Sequence, residues 1–215
     1  NRHYGYRKLT VEDVLYAYGG LRPLVDDQTE EVYKSSRKYE IYDNASEGLN
    51  GLITVEGGKY TTSRNLAEKT VDKVFEKLQR PRRPSPTAAQ FLAGSEIPRM
   101  GDFIEDLQSR YRHFTPQTVD MAARHYGTEA PHMLALAAQN PAWQEQTTHD
   151  GELLAEVAYA VRHELAYHLD DVFLRRTGMG MLMRPADELI NKAAAIMAES
   201  LDWSKAQITK ETEAL

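Results

Sequence analysis

The stretch Gly51-Leu52-Ile53-Thr54-Val55-Glu56-Gly57-Gly58-Lys59-Tyr60-Thr61-Thr62-Ser63-Arg64 decides how the rest of this chain is read. Its first part is a short apolar, β-branched run stopped by two glycines. One lysine and two threonines then lead into Leu66, Thr70, Val71, Val74, Phe75 and Leu78, an apolar stripe at helical spacing through residues 63–78. A strand, a tight turn and a helix are predicted. Gly57 and Gly58 would let a ligand approach the backbone closely, and Thr61 or Thr62 would cap the helix. The unpaired amides of the first helical turn, with Lys59 beside them, suit an anion. The spacing is neither a P-loop nor a dinucleotide fingerprint, and an ordinary glycine turn before a capped helix would use the same residues.

Toward the N-terminus, residues 37–43 alternate in polarity and predict a second strand. Residues 14–18 are β-branched and aromatic and predict a third, ended by Gly19-Gly20, while Thr10 and Asp13 have capping-box spacing. Three short strands in succession imply antiparallel pairing at one side of a larger sheet. Tyr16, Tyr18, Tyr39 and Tyr42 alternate as cross-strand packing residues do. Arg22 sits between a glycine-ended strand and Pro23, and Arg37 opens the next strand. Two arginines on neighbouring strands can fork onto one phosphate or carboxylate, and can equally pair with Asp26, Asp27 or Asp43. With Lys59, the set leans toward an anionic small molecule.

Toward the C-terminus, Pro81, Pro84 and Pro86 interrupt any helix, so residues 80–87 read as a proline and arginine linker. Beyond it the signals are helical. Thr115-Pro116 opens one helix, residues 128–138 give another stopped by Asn140-Pro141, and Asp150 would cap a third with Leu153, Leu154, Val157, Val161 and Leu165 on one face. Residues 169–176, a helix opened by Pro185, and a last one from Ser204 complete five or six. The fold class is therefore α+β. Residues 1–79 form the strand-and-helix domain, 80–87 the linker and 88–215 an all-helical domain.

The charge follows the same division. Residues 1–83 carry 15 Lys/Arg against 13 Asp/Glu and residues 84–215 carry 11 against 19, within a net charge of −6. Only the first part suits an anionic ligand, and nucleic acid is not an expected partner. A chain of 215 residues at 41% hydrophobic can bury one or two cores. It lacks cysteine, so it has no disulfide framework and no thiolate metal site, consistent with a cytoplasmic setting. No apolar run approaches the ~20 residues of a membrane helix. His163 and His168 are five apart, not at the spacing of a zinc pair, and His125 and His132 straddle a glycine, so no metal site is expected. No Ser/His/Asp arrangement stands out, and no catalytic residue is assigned.

Several separated motifs share one family. Residues 20–24 (Gly-Leu-Arg-Pro-Leu), residues 36–39 (Ser-Arg-Lys-Tyr) and residues 51–68 follow in the order that resembles the FAD-dependent glycerol-3-phosphate dehydrogenases. Residues 159–166 (Tyr-Ala-Val-Arg-His-Glu-Leu-Ala) and 169–177 (Leu-Asp-Asp-Val-Phe-Leu-Arg-Arg-Thr) resemble the core of that family's C-terminal helical domain. The resemblance spans nearly the whole chain and is weakest over residues 80–150. It implies FAD as cofactor, with Gly58, Lys59, Tyr60 and Thr61 against the flavin ring, and glycerol 3-phosphate as substrate held by Arg22 and Arg37. It further implies a quinone as electron acceptor, with peripheral association at the inner membrane and homo-oligomerisation as associated expectations. An oxidase using oxygen, or a non-catalytic helical docking module, are the alternatives. Tyr60 stands where the family usually has leucine and Ser63 where it often has tyrosine, so the wall near the ring is altered. The absence of Gly-x-Gly-x-x-Gly leads to the expectation that the dinucleotide-binding region and the family's catalytic histidine lie upstream of Asn1. The chain alone would then be inactive and hold no FAD.

Overall fold

The alternating run that ends at Asp43 and the apolar run before Gly57 become a hairpin. β1 (Tyr39–Asp43) pairs antiparallel with β2 (Ile53–Gly57), setting Tyr39 opposite Gly57, Ile41 opposite Val55 and Asp43 opposite Ile53. The connection opens with a 3₁₀ turn, Asn44–Glu47, in which Asp43 accepts the Ala45 N–H at 3.1 Å and Gly48 takes a left-handed φ of 83°. α1 (Ser63–Lys77) packs on this hairpin through polar contacts. Tyr39 donates to Asn65 at 3.2 Å, the Lys69 ammonium stands 5.5 Å from the Tyr39 ring centre, and Lys77 pairs with Asp43. The apolar stripe of α1 is half covered among the described residues: Leu66 and Phe75 are partly buried, while Val71 and Leu78 are 51% and 57% exposed.

The structure, a computed structural model, describes residues 9–14, 16–17, 19 and 39–215. It divides into two compact units, one of residues 19–91 and one of residues 92–215 with which the described residues 9–17 group. The α+β class holds. The strand expected over residues 14–18 does not appear at the described positions 14, 16 and 17, and Tyr18 lies outside the described residues. Thr10 and Asp13 close a capping box around the 3₁₀ turn Val11–Asp13, as their spacing predicts. Val14 and Tyr16 are then 59% and 42% exposed, so little packing rewards strand pairing.

The larger unit is a stack of helices. α2 (Met100–Arg110), α3 (Pro116–Tyr126), α4 (Ala130–Gln139) and α5 (Ala155–His163) pack in sequence, α5 meets α7 (Asp187–Leu201), and α7 meets α8 (Lys205–Ala214). Between α5 and α7, the short α6 (Leu169–Asp171) runs into a π turn, Val172–Arg176. Leu107, Met133, Leu134, Val157, Phe173 and Met197 are fully buried and form the centre of one core. Side chains start α3 and α8 as expected: Thr115 accepts the Thr118 N–H at 3.1 Å and Ser204 the Gln207 N–H at 3.2 Å. Sequence reading passed over α2.

Two expectations for α5 are corrected. Asp150 does not cap it, because Gly151, at a φ of 100°, turns the chain into a short bridge between Gln146 and Leu153, and the helix begins only at Ala155. Leu165 is not on its inner face. The helix ends at His163, Ala166 N–H reaches back to the Ala160 carbonyl at 3.1 Å, and Leu165 takes the left-handed position at a φ of 58° with 69% of its surface exposed.

Gly127 ends α3 where two backbones nearly touch. A Cβ there would lie 1.8 Å from the Gly94 carbonyl oxygen, at a φ of 55°, and the same carbonyl accepts the Thr128 N–H at 3.0 Å. Gly127→Ala is expected to lower unfolding free energy by about 3 kcal/mol or more in urea titration. Gly101→Ala, in the open on α2, should raise it by about 0.5–1 kcal/mol. Equal effects of the two would contradict the close approach.

His168 lies 2.8 Å from Glu211 of α8, whose other oxygen accepts the Leu169 N–H at 3.1 Å. The Glu211 carboxylate, helped by Asp171 and Asp170 and opposed by slight burial, holds the His168 imidazole above its usual value. A raised imidazole stabilises the fold fully below the unfolded value of about 6.5 and loses that contribution as pH rises through the folded value. The melting temperature of the unaltered chain minus that of His168→Gln should therefore be larger at pH 6 than at pH 8.5; a difference independent of pH would rule this out.

Candidate functional site

The strand-turn-helix at residues 53–64 is built by its two glycines. Gly57 and Gly58 take φ of 75° and 98°, values that side chains disfavour, and they turn the chain off the hairpin. A Cβ on Gly58 would meet Leu66 at 3.4 Å and Tyr39 at 3.7 Å, so the turn sits close over the start of α1. The helix is entered through a 3₁₀ turn, Tyr60–Thr62. Thr62 stands at the N-cap position of α1, but neither threonine side chain bonds an amide of the helix, which corrects the expectation of a side-chain cap. The 3₁₀ turn has its own capping position at Lys59, whose N–H donates to Thr62 Oγ1 at 3.3 Å while Thr62 donates to the Lys59 carbonyl at 3.1 Å. Tyr60 is fully exposed, and Lys59 is exposed and makes no ion pair among the described residues.

These positions form a ledge that can meet an anion or a polar ring edge: amides at the start of a helical segment and one ammonium without an ion pair among the described residues. Thr61 is exposed on the same ledge. Arg22 and Arg37 lie outside the described residues, so no geometry relates them to Lys59. Of the linker arginines, Arg82 turns back on α1, 3.8 Å from Asp72 and 3.7 Å from Glu76.

A second constellation lies within the helical unit, and sequence reading missed it. Glu156, on α5, is 0% exposed; its Oε1 accepts the Leu153 N–H at 2.9 Å and its Oε2 accepts the Tyr126 hydroxyl at 2.8 Å. His125 Nδ1 stands 3.7 Å from the same Oε2. Glu152, 5% exposed, accepts the Gly178 N–H at 2.6 Å. Burial, then the neighbouring Glu156 charge, pushes the Glu152 carboxyl up, with the Gly178 amide opposing. The adjacent Glu156 holds His125 up against partial burial, and burial followed by Glu156 drives the Tyr126 hydroxyl well above its usual value. His125 and Glu152 line a cavity of about 1250 Å³ whose wall includes Met121, Met179, Met181 and Leu189. The i, i+4 spacing of Glu152 and Glu156 was readable; the arrival of His125 beside them was not.

A family model described as the C-terminal domain of alpha-glycerophosphate oxidase matches residues 85–208. A glycerol-3-phosphate dehydrogenase of Synechocystis sp. is 31% identical over 99% of this chain and 39% of its own length. An aerobic glycerol-3-phosphate dehydrogenase of Staphylococcus aureus is 30% identical over 95% of this chain and 38% of its own. The solved glycerol-3-phosphate dehydrogenase of Bacillus halodurans, complexed with FAD, superposes with a TM-score of 0.64 at 26% identity, covering 81% of this chain and 36% of that one. The chain thus spans about two fifths of the length of the curated relatives it matches.

The Tyr126 hydroxyl is one of two donors to a carboxylate with no exposed surface. Tyr126→Phe is expected to cost about 1–3 kcal/mol in urea unfolding, because Glu156 Oε2 loses its donor without gaining water. Tyr159→Phe, in the adjoining ring 5.0 Å away, should stay within about 0.5 kcal/mol of the unaltered chain.

Proposed function

Since the chain belongs to the family of the C-terminal domain of alpha-glycerophosphate oxidase, we propose that it is the C-terminal part of a flavoenzyme that oxidises glycerol 3-phosphate to dihydroxyacetone phosphate. The observation that carries the reading beyond family membership is the ledge at residues 57–62, with left-handed Gly58 and, at the entry to α1, Lys59, which makes no ion pair among the described residues. Its chemistry fits a flavin edge: amides and an ammonium where negative charge gathers on reduction. FAD, when bound, supplies the two-electron acceptor for the alcohol carbon.

On this reading Gly58, Lys59, Tyr60 and Thr61 hold the ring, and Lys59 favours the charged product state. Arg22 and Arg37 bind the phosphate of the substrate, where a planar guanidinium fork matches the oxygens better than a lysine would. Residues 1–79 contribute to the flavin and substrate domain, residues 80–87 link, and residues 88–215 form the helical domain. A quinone is the proposed electron acceptor, in a cytoplasmic or peripherally membrane-bound homo-oligomer. The 215 residues alone are expected to retain no FAD and to turn over no substrate. Oxygen as acceptor is the second reading, favoured by the oxidase in the matching family's description.

The test uses the longer polypeptide this reading requires. Lys59→Met should lower kcat by about 10²-fold or more with a small change in KM, the pattern of a charge used mainly in the transition state. Arg22→Lys and Arg37→Lys should chiefly raise KM for glycerol 3-phosphate. Unchanged kinetics in all three would overturn the assignment, and stoichiometric peroxide release would decide for oxygen over quinone.

A further inference from the structure

The geometry points to a divalent metal site in the helical unit, with His125, Glu152 and Glu156 as ligands to one first-row transition ion such as Zn²⁺ or Mn²⁺. One donor atom from each residue lies within 4.8 Å of the other two. His125 Nδ1 and Glu156 Oε2 are 3.7 Å apart, too long for a hydrogen bond. Two ligands sharing an ion at metal–ligand distances of about 2.0–2.2 Å sit roughly 3–3.5 Å apart, so a small contraction brings this pair onto one centre.

The electrostatic setting calls for a cation. Glu152 and Glu156 are 5% and 0% exposed, and among the described residues neither forms an ion pair with a lysine or arginine. Nearby arginines are spent elsewhere, Arg124 on Asp120 and Arg175 on Asp170 and Asp171. Two carboxylates removed from water beside each other cost free energy that the His125 imidazole, 3.7 Å from Glu156, only partly offsets. A divalent ion supplies further positive charge at one point.

The carboxylates are also prepared as ligands. Each oxygen of Glu156 accepts one hydrogen bond, from Leu153 N–H and from Tyr126, and Glu152 Oε1 accepts one from Gly178 N–H. Since a carboxylate oxygen has two lone pairs, capacity for a metal remains, and these donors take the part of outer-sphere groups that fix ligand orientation. The ion would join α3, the bridge before α5, α5 itself and the turn at Gly178. His125 and Glu152 face the cavity, which gives the ion an entry and leaves a coordination position for water or an oxygen ligand. One imidazole with two carboxylates and no thiolate suits Zn²⁺ above Mn²⁺, and both above Mg²⁺.

The test needs neither flavin nor substrate, so its outcome is separate from that of the proposed oxidoreductase. The chain is stripped with EDTA, exchanged into metal-free buffer, and titrated with ZnCl₂, MnCl₂ and MgCl₂ by calorimetry, with bound metal counted by elemental analysis after dialysis. One Zn²⁺ per chain and a raised melting temperature are expected, with weaker Mn²⁺ binding. Glu152→Gln and His125→Gln should each weaken Zn²⁺ binding by about 100-fold or more, while His149→Gln, in the same cavity, leaves it unchanged. Circular dichroism melts in EDTA identify which variants are folded. No Zn²⁺ uptake at 100-fold molar excess, or uptake undiminished in either folded ligand variant, would overturn the site.

Discussion

A carboxylate with no exposed surface must find donors inside the protein, and Glu156 sets that requirement for the helical unit. Its two oxygens take the Leu153 N–H and the Tyr126 hydroxyl, so one side chain both ties down the chain just before α5 and fixes α5 against α3. The Tyr126 ring then meets Tyr159 edge-on at 5.0 Å, one turn along α5 from Glu156, and the polar contact is enclosed by aromatic packing. A shift of either helix by one residue would break the hydrogen bond and the ring contact together. Helix register is therefore set by polar satisfaction as much as by apolar burial.

Backbone contacts impose the neighbouring constraints. Gly94 and Gly127 approach so closely that neither chain path can move without the other, and only the 3₁₀ turn Gly127–Glu129 separates α3 from α4. The π turn at Val172–Arg176 places two buried residues, Val172 and Phe173, in the core while delivering Thr177 and Gly178 to the edge of the cavity. Thr177 completes that turn by bonding the Val172 carbonyl through both N–H and hydroxyl, at 3.0 and 2.8 Å. The Gly178 amide is then free to serve Glu152.

The two units embody different physics. The helical unit has a closed core and concentrates its chemistry in buried carboxylates. The hairpin and α1 hold together through Tyr39, Asn65, Lys69, Lys77 and Asp43, and leave Lys59 and Tyr60 facing outward. Such a surface suits one wall of a ligand site better than a complete pocket. The charge division in the sequence matches this contrast, with the excess of cations on the side proposed for phosphate and flavin.

Local patterns were legible without coordinates. Alternation at residues 39–43, the glycine pair at 57–58, the helical stripe from residue 63, and the caps Thr115 and Ser204 depend on neighbours a few positions away, so the sequence by itself determined the α+β class, the ledge at Gly58 and Lys59, and the helical character of the second part. The late start of α5, the outward turn of Leu165, the loss of the cap at Thr61 and Thr62, and the meeting of His125 with Glu152 and Glu156 were decided only by tertiary structure. The reason is the same in each case. Capping choices compete with alternatives of similar energy that packing resolves, and a contact between residues some 30 positions apart leaves no periodic trace in either segment.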